Sequence, residues 1–151
     1  MDPRRVTIGL AVCAASVFIL RADLGPVKSE PNLEKRARLA LAHADKQVDA
    51  AREAYQGGDW NKVLAALEQS SQAVDLAFES LKQTGKNPGS GSKHFKNAEI
   101  KTRELARKLD NFRQQAGVDE QAAVEKVRVH VQQVHDELLE GIMGRAKWRK
   151  K

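Results

Sequence analysis

The 151-residue sequence has few of the residues that build disulfide-bonded or β-sheet proteins. It contains one cysteine, four prolines and 5% aromatic residues, and strand-like runs bounded by turn residues are nearly absent. With Cys13 as its single cysteine, the chain cannot form an internal disulfide. Because Ala, Leu, Lys, Glu, Gln and Arg are plentiful and favour helix, we expect an all-α fold.

Motifs that would identify an enzyme or a cofactor site are also missing. The sequence has no Gly-x-Ser-x-Gly, His-Glu-x-x-His or Cys-x-x-Cys-His motif, and residues 85–92 lack the Gly-Lys-Ser/Thr ending of a phosphate-binding loop. His130 and His135 are separated by about 140° around a helix, so they cannot share one face. We therefore predict a non-enzymatic chain without catalytic, cofactor-binding or metal-binding residues, whose four histidines lie at helix surfaces.

No apolar run is long enough for an ordinary transmembrane helix. The longest, residues 6–20, would span roughly 22 Å as a helix, against roughly 30 Å for a hydrocarbon core. Arg4 and Arg5 precede this run, and Arg21 and Asp23 follow it, which is the layout of a secretory signal. We assign residues 1–22 as a signal peptide or an uncleaved signal anchor, and we expect an extracytoplasmic (periplasmic or secreted) location.

The net charge of +6 is concentrated at the C-terminus, because residues 26–144 hold equal numbers of acidic and basic side chains. The basic tail, residues 145–151, has five cations, one tryptophan and no acid. Such a segment suits an anionic membrane surface, since headgroups attract the cations and the indole favours the interface. Nucleic acid fits an exported chain less well, and a merely solubilising end is the plain alternative. The candidate binding residues are Arg145, Lys147, Trp148, Arg149, Lys150 and Lys151.

Four segments between the signal and the tail have apolar residues at helical spacing. After a linker at residues 23–32, the spacing predicts helices over 33–56, 60–83, 93–116 and 120–143 within a bundle spanning 33–144. Asn32, Asp59, Ser92 and Asp119 are the expected N-caps.

Equal helix lengths and short connections favour an antiparallel up-down-up-down four-helix bundle made of two helical hairpins. Two separate hairpins are the alternative, because the Gly/Ser-rich stretch between them would let them part. The expected core is Leu41, Val48, Trp60, Leu64, Leu67, Val74, Phe95, Leu105, Leu109, Phe112, Val127, Val131, Val134 and Leu138.

The turn of the first hairpin carries one resemblance to a known family. Residues 51–67, with Tyr55, then Gly58-Asp59-Trp60, then Leu67, resemble the centre of a tetratricopeptide repeat, which implies two helices joined by a tight turn. Val63 and Ser70 depart from that family, which prefers alanine there, and no second copy occurs at its period near 34 residues. No family is assigned to the whole chain.

These observations favour an exported helical interaction or scaffold module with an unknown protein partner, and a homo-oligomer remains open. Two alternatives stand beside it. One is an envelope-surface binder acting through the basic tail, and the other is a small enzyme or cofactor carrier with no recognisable motif.

Overall fold

Five α-helices make up most of the chain that the computed structural model describes, residues 24–90 and 92–145. They are α1 (Gly25–Lys28), α2 (Leu33–Gln56), α3 (Trp60–Gln83), α4 (Lys93–Gln115) and α5 (Val118–Ile142), with a 3-10 turn at Pro88–Ser90. The all-α prediction is confirmed for this part, and the four long helices lie within two residues of their predicted bounds. The assigned signal segment, residues 1–22, lies outside the described residues. In residues 24–90 and 92–145, no helix has the length and apolarity needed to cross a membrane.

Helix α1 replaces part of the extended linker that we predicted at residues 23–32. Pro26 stands at the start of this helix, where the fixed proline φ angle suits a first turn. Leu24 is buried, and Val27 packs against the bundle core. These apolar contacts hold the segment as one helical turn, although its two prolines had suggested an extended chain.

Side chains cap two of the long helices as predicted. Asn32 and Asp59 each accept a hydrogen bond from the backbone N–H three residues ahead, at 2.9 and 3.1 Å. Ser92 occupies the N-cap of α4 without a side-chain cap bond. The prediction for Asp119 is wrong, because Gly117 is the N-cap of α5 and Asp119 lies in the first turn. In that position, the Asp119 carboxylate still interacts favourably with the positive end of the helix dipole.

Small side chains bring α2 and α3 close together. Ala40, Ala44 and Ala51 on α2 are fully buried, as is Ala73 on α3. The Ser70 hydroxyl donates a 3.1 Å hydrogen bond across the interface to the carbonyl oxygen of Ala44. A side chain as short as serine reaches the neighbouring backbone only where two helices approach closely. This hairpin therefore forms the most extensive helix contact of the fold.

The two hairpins, α2–α3 and α4–α5, pack side by side into one four-helix bundle. Chain direction alternates along the sequence, as an up-down-up-down order requires. However, α2 packs beside α4 and α3 packs beside α5, while α3 and α4 make few contacts and lie on a diagonal. Each helix thus has one antiparallel neighbour and one parallel neighbour. Our expectation that consecutive helices would all be neighbours is wrong at the α3–α4 connection, because this longer loop crosses the bundle end.

Twelve of the fourteen predicted core residues are buried. Trp60 is half-buried against the core, and Leu64 is 42% exposed, so its placement in the core was wrong. Alanine on α2 lets α3 approach through its own small residues, and the buried stripe of α3 therefore runs through Ala66, Ser70 and Ala77. Leu64 lies beside that stripe rather than on it.

The crossing loop closes the end of the bundle where α2 and α4 begin. Pro88 is buried, and Gly89 lies against the carbonyl groups of Gly141 and Ile142 near the end of α5. Helix α1 contacts the adjoining part of α2. Leu24 and Arg145, the first and last described residues, are therefore at the same end of the bundle.

Tyr55 ties the two hairpins together at the opposite end. Its ring meets those of Trp60 and Phe112 edge-on, with centroids 6.4 and 5.6 Å away. Its hydroxyl oxygen accepts a 2.9 Å hydrogen bond from the backbone N–H of Gly117, in the turn of the second hairpin. One side chain thereby joins both hairpin turns.

Candidate functional site

The structure describes only the first residue of the predicted basic tail. Arg145 is exposed, and its backbone N–H bonds to the carbonyl oxygen of Glu140 at 2.9 Å. Gly144 adopts the left-handed conformation that this ending of α5 requires, with φ of 71°. The other tail candidates, Lys147, Trp148, Arg149, Lys150 and Lys151, lie outside the described residues. The tail as a site therefore stays a prediction.

The histidines are dispersed over the bundle. In the described ranges, no three His, Cys, Asp or Glu side chains are grouped so that they could hold a metal ion. His130 lies 2.8 Å from a carboxylate oxygen of Asp75, which joins α5 to α3. His94 lies 3.1 Å from a carboxylate oxygen of Glu34, which joins α4 to α2.

His135 corrects the expectation that all four histidines lie at helix surfaces. It is 7% exposed, with Nδ1 at 3.3 Å from the carbonyl oxygen of Glu99 and 3.5 Å from the Thr102 hydroxyl. Its spacing from Val131 and Leu138, four residues before and three after, places it on the core face of α5. That spacing was the sequence signal for its burial.

A groove of about 290 Å³ runs between the parallel neighbours α2 and α4. Its floor is aliphatic and consists of Ala37, Leu41, Leu81 and Ala98, each buried by more than nine-tenths. A concave site with an apolar floor and a few polar groups at its edge is the usual form of a small-ligand site. The remaining lining residues, which form the rim of this α2/α4 groove, are Glu34, Arg38, Ala42, Asp45, Lys46, His94, Asn97 and Lys101.

The acidic rim residues are already paired. Glu34 accepts a 2.6 Å hydrogen bond from Lys86, and this bond, with the nearby charge of His94, holds the pKa of its carboxyl below the usual range. Asp45 accepts a 2.7 Å bond from Lys108. Both carboxylates are therefore paired with cations of the protein itself, although Asp45 shares Lys108 with Asp49.

The basic rim residues differ in their pairing. Lys101 donates a 2.7 Å bond to Glu104, and this bond raises the pKa of its ammonium group. For Arg38 and Lys46, by contrast, residues 24–90 and 92–145 provide no side-chain hydrogen bond or ion pair. Within the described part of the chain, the rim thus presents two cations that have no ion-pair partner, both on α2.

Sequence reasoning did not find this groove, because its residues come from three helices. The alanine-rich seam of α2 was visible, and so was the row Glu34, Arg38, Ala42 and Lys46 at steps of four. What was missing is that α4, rather than α5, lies beside α2. Which helix lies beside α2 depends on the diagonal path of the loop between the hairpins, and the spacing of apolar residues does not indicate that path.

A second groove, of about 530 Å³, lies on the opposite side between α3 and α5. The lining of this α3/α5 groove includes two buried apolar residues, Leu67 and Val127, and its other lining residues are exposed or partly buried. It is larger than the α2/α4 groove, but its buried apolar floor has two residues instead of four. His130, its one histidine, is already held by Asp75.

Comparison with known proteins adds no relative, since no protein-family model, no curated protein and no solved structure matches the chain. The likeness of residues 51–67 to a tetratricopeptide repeat stays a resemblance of those residues alone.

Proposed function

We propose that this chain is an exported, non-enzymatic helical binding module that holds its partner in the α2/α4 groove. The observation that carries the proposal is the aliphatic floor beneath a charged rim. The acids of this rim are paired, whereas Arg38 and Lys46 have no partner among the residues that the structure describes. Apolar surface supplies affinity on burial, and unpaired charges at the rim supply orientation and selectivity. The proposed export rests on the layout of residues 1–23.

A photo-crosslinking experiment tests the site. A photoreactive phenylalanine derivative is placed at position 97, on the exposed α4 side of the rim, in cells that export the full chain. Position 107, an exposed site on α4 that does not line the groove, serves as the control. We expect an adduct from position 97 that is weak or missing from position 107. Equal adducts at both positions, or none at either, would contradict binding in this groove.

Export is tested separately by cell fractionation. The full chain should be recovered outside the cytoplasm, either released or retained by its N-terminal segment. Full-length protein confined to the cytoplasm would show that the assignment of residues 1–22 is wrong, whatever the crosslinking result.

A second function, attachment to an anionic membrane through the basic tail, is favoured by one observation, the five cations in the last seven residues. Each Lys or Arg near an anionic surface contributes about 1 kcal/mol, and salt screens that attraction. The full chain should bind anionic vesicles more tightly than a chain ending at Gly144, and high salt should weaken the difference. If the two chains bound the vesicles equally, the tail would be only a solubilising end, and this second function would be wrong.

A further inference from the structure

The rim of the α2/α4 groove has a low point on the α2 side. Glu34, Arg38, Ala42 and Lys46 follow one another at steps of four, so they form a single ridge along α2. Ala42 is the one short side chain in this ridge. Arg38 and Lys46 stand one helical turn to either side of it, about 12 Å apart along the axis. The gap over Ala42 thus opens the aliphatic floor to solvent between two cations.

An anionic group over Ala42 would not meet an unpaired carboxylate. Glu34 is bonded to Lys86, and Asp45 to Lys108, which also bonds to Asp49 at 3.0 Å. The opening therefore combines apolar surface with two cations that no described residue engages in an ion pair.

From this juxtaposition we propose that the groove binds a single-chain amphiphile with an anionic headgroup. The acyl or alkyl chain lies along Ala37, Leu41 and Ala98, and the headgroup sits over Ala42 between Arg38 and Lys46. This proposal rests on the proposed function of the groove and specifies the chemical class of its ligand. A free fatty acid and a lysophospholipid with a net negative headgroup present the same two features.

The size of the groove favours an amphiphile over a partner helix. Its volume of about 290 Å³ is at the lower end of small-molecule sites. A docked helix has a diameter of about 10–12 Å with its side chains, which is far broader than a slot between two helices already in contact. A flexible alkyl chain fills such a slot without moving α2 from α4.

Binding is measured on the full chain with dodecanoate, below its micelle concentration, by calorimetry and by amide chemical shifts. We expect saturable binding with shifts centred on Ala37, Ala42 and Ala98. Dodecyltrimethylammonium tests the sign of the charge, and acetate tests the headgroup alone; both should bind far more weakly. A lysophospholipid with a net negative headgroup, compared with dodecanoate, distinguishes a lipid source from a free acid.

Two variants test the cations. Arg38→Gln combined with Lys46→Gln should weaken dodecanoate binding about tenfold, because two charge-assisted contacts are lost. Ala42→Glu should weaken it comparably, since the new carboxylate pairs with both cations at steps of four, and glutamate is itself a good helix former. The second variant keeps every native charge and therefore distinguishes loss of the site from loss of the fold.

The matched control is Arg107→Gln combined with Lys126→Gln. It removes the same two residue types and the same charge from positions that do not line the α2/α4 groove, and binding should stay within about twofold. The inference is overturned by absent saturable binding, by equal binding of dodecanoate and its cationic counterpart, by full affinity in both groove variants, or by shifts centred on Leu64 and Val127. Position-97 crosslinks without dodecanoate binding would refute the ligand class and leave the proposed function standing, whereas failure of both would refute both.

Discussion

Removing the hydroxyl of Tyr55 should weaken the connection between the two hairpins by a small, calculable amount. Tyr55→Phe keeps the ring contacts with Trp60 and Phe112 and deletes the acceptor of the Gly117 N–H bond. An intramolecular hydrogen bond contributes about 0.5–1.5 kcal/mol net. Because Gly117 is only half-buried, water can partly replace the lost acceptor, and we expect a loss of about 1 kcal/mol. Tyr55→Leu also removes two aromatic pairs, and the loss should reach about 2–3 kcal/mol.

Urea unfolding followed by circular dichroism gives the free energy of unfolding for the native chain and both variants. The dependence on urea should not change, because the fold and its buried surface stay the same. Amide hydrogen exchange gives the local readout. The Gly117 amide should exchange faster in Tyr55→Phe, whereas amides near the middle of α4, such as that of Leu105, should shift only with global stability. A Tyr55→Phe chain of native stability with unchanged Gly117 exchange would refute the bond as the link between the hairpin turns.

Three further predictions follow from the packing and the charges. Leu109→Ala should lower the free energy of unfolding by about 2–5 kcal/mol because Leu109 is fully buried. Leu64→Ala should lower it far less in the same urea assay, and equal losses would contradict the buried stripe of α3. Ser70→Leu should destabilise the fold more than Ser70→Ala, since overpacking a close helix pair costs about 1–3 kcal/mol. If Ser70→Ala had the lower urea midpoint of the two, the result would argue against close approach of α2 and α3. Glu34 has a depressed pKa, so its stabilising contribution is present above its ordinary value of 4.5 and is lost as the pH falls through the folded value. Lys86→Gln should move the Glu34 pKa up towards 4.5 in a carboxyl-carbon NMR titration, and an unchanged pKa would exclude Lys86 as its main cause.

Periodicity and capping residues were sufficient to place the helices. The seams through Leu105 and Leu109 on α4, and through Val131 and Leu138 on α5, face the core as their spacing predicted. Local signals succeed here because a helix end or an apolar face depends on residues only a few positions apart.

Features that depend on distant residues were the ones missed. Leu64 was placed in the core because it follows Trp60 by four residues on an apolar stripe, whereas the buried face of α3 runs through Ala66 and Ser70, where α2 packs closely. The α2/α4 groove required knowledge of which helices are neighbours across the bundle. The burial of His135 had a local signal in its spacing from Val131 and Leu138, but its partners, Thr102 and Glu99, lie more than thirty residues earlier in the chain.

The shared end of Leu24 and Arg145 sets an orientation for the molecule. Any chain before residue 24 and after residue 145 leaves the bundle on the side closed by the crossing loop. If residues 1–22 stayed in a membrane as a signal anchor, the basic tail would start from the side of the bundle that faces the same lipid surface. The helices would then stand with the hairpin turns at Gly58 and Gly117 facing away, about 36 Å from the lipid for helices of this length. The α2/α4 groove lies towards the α1 end, so in that orientation it would open near the lipid.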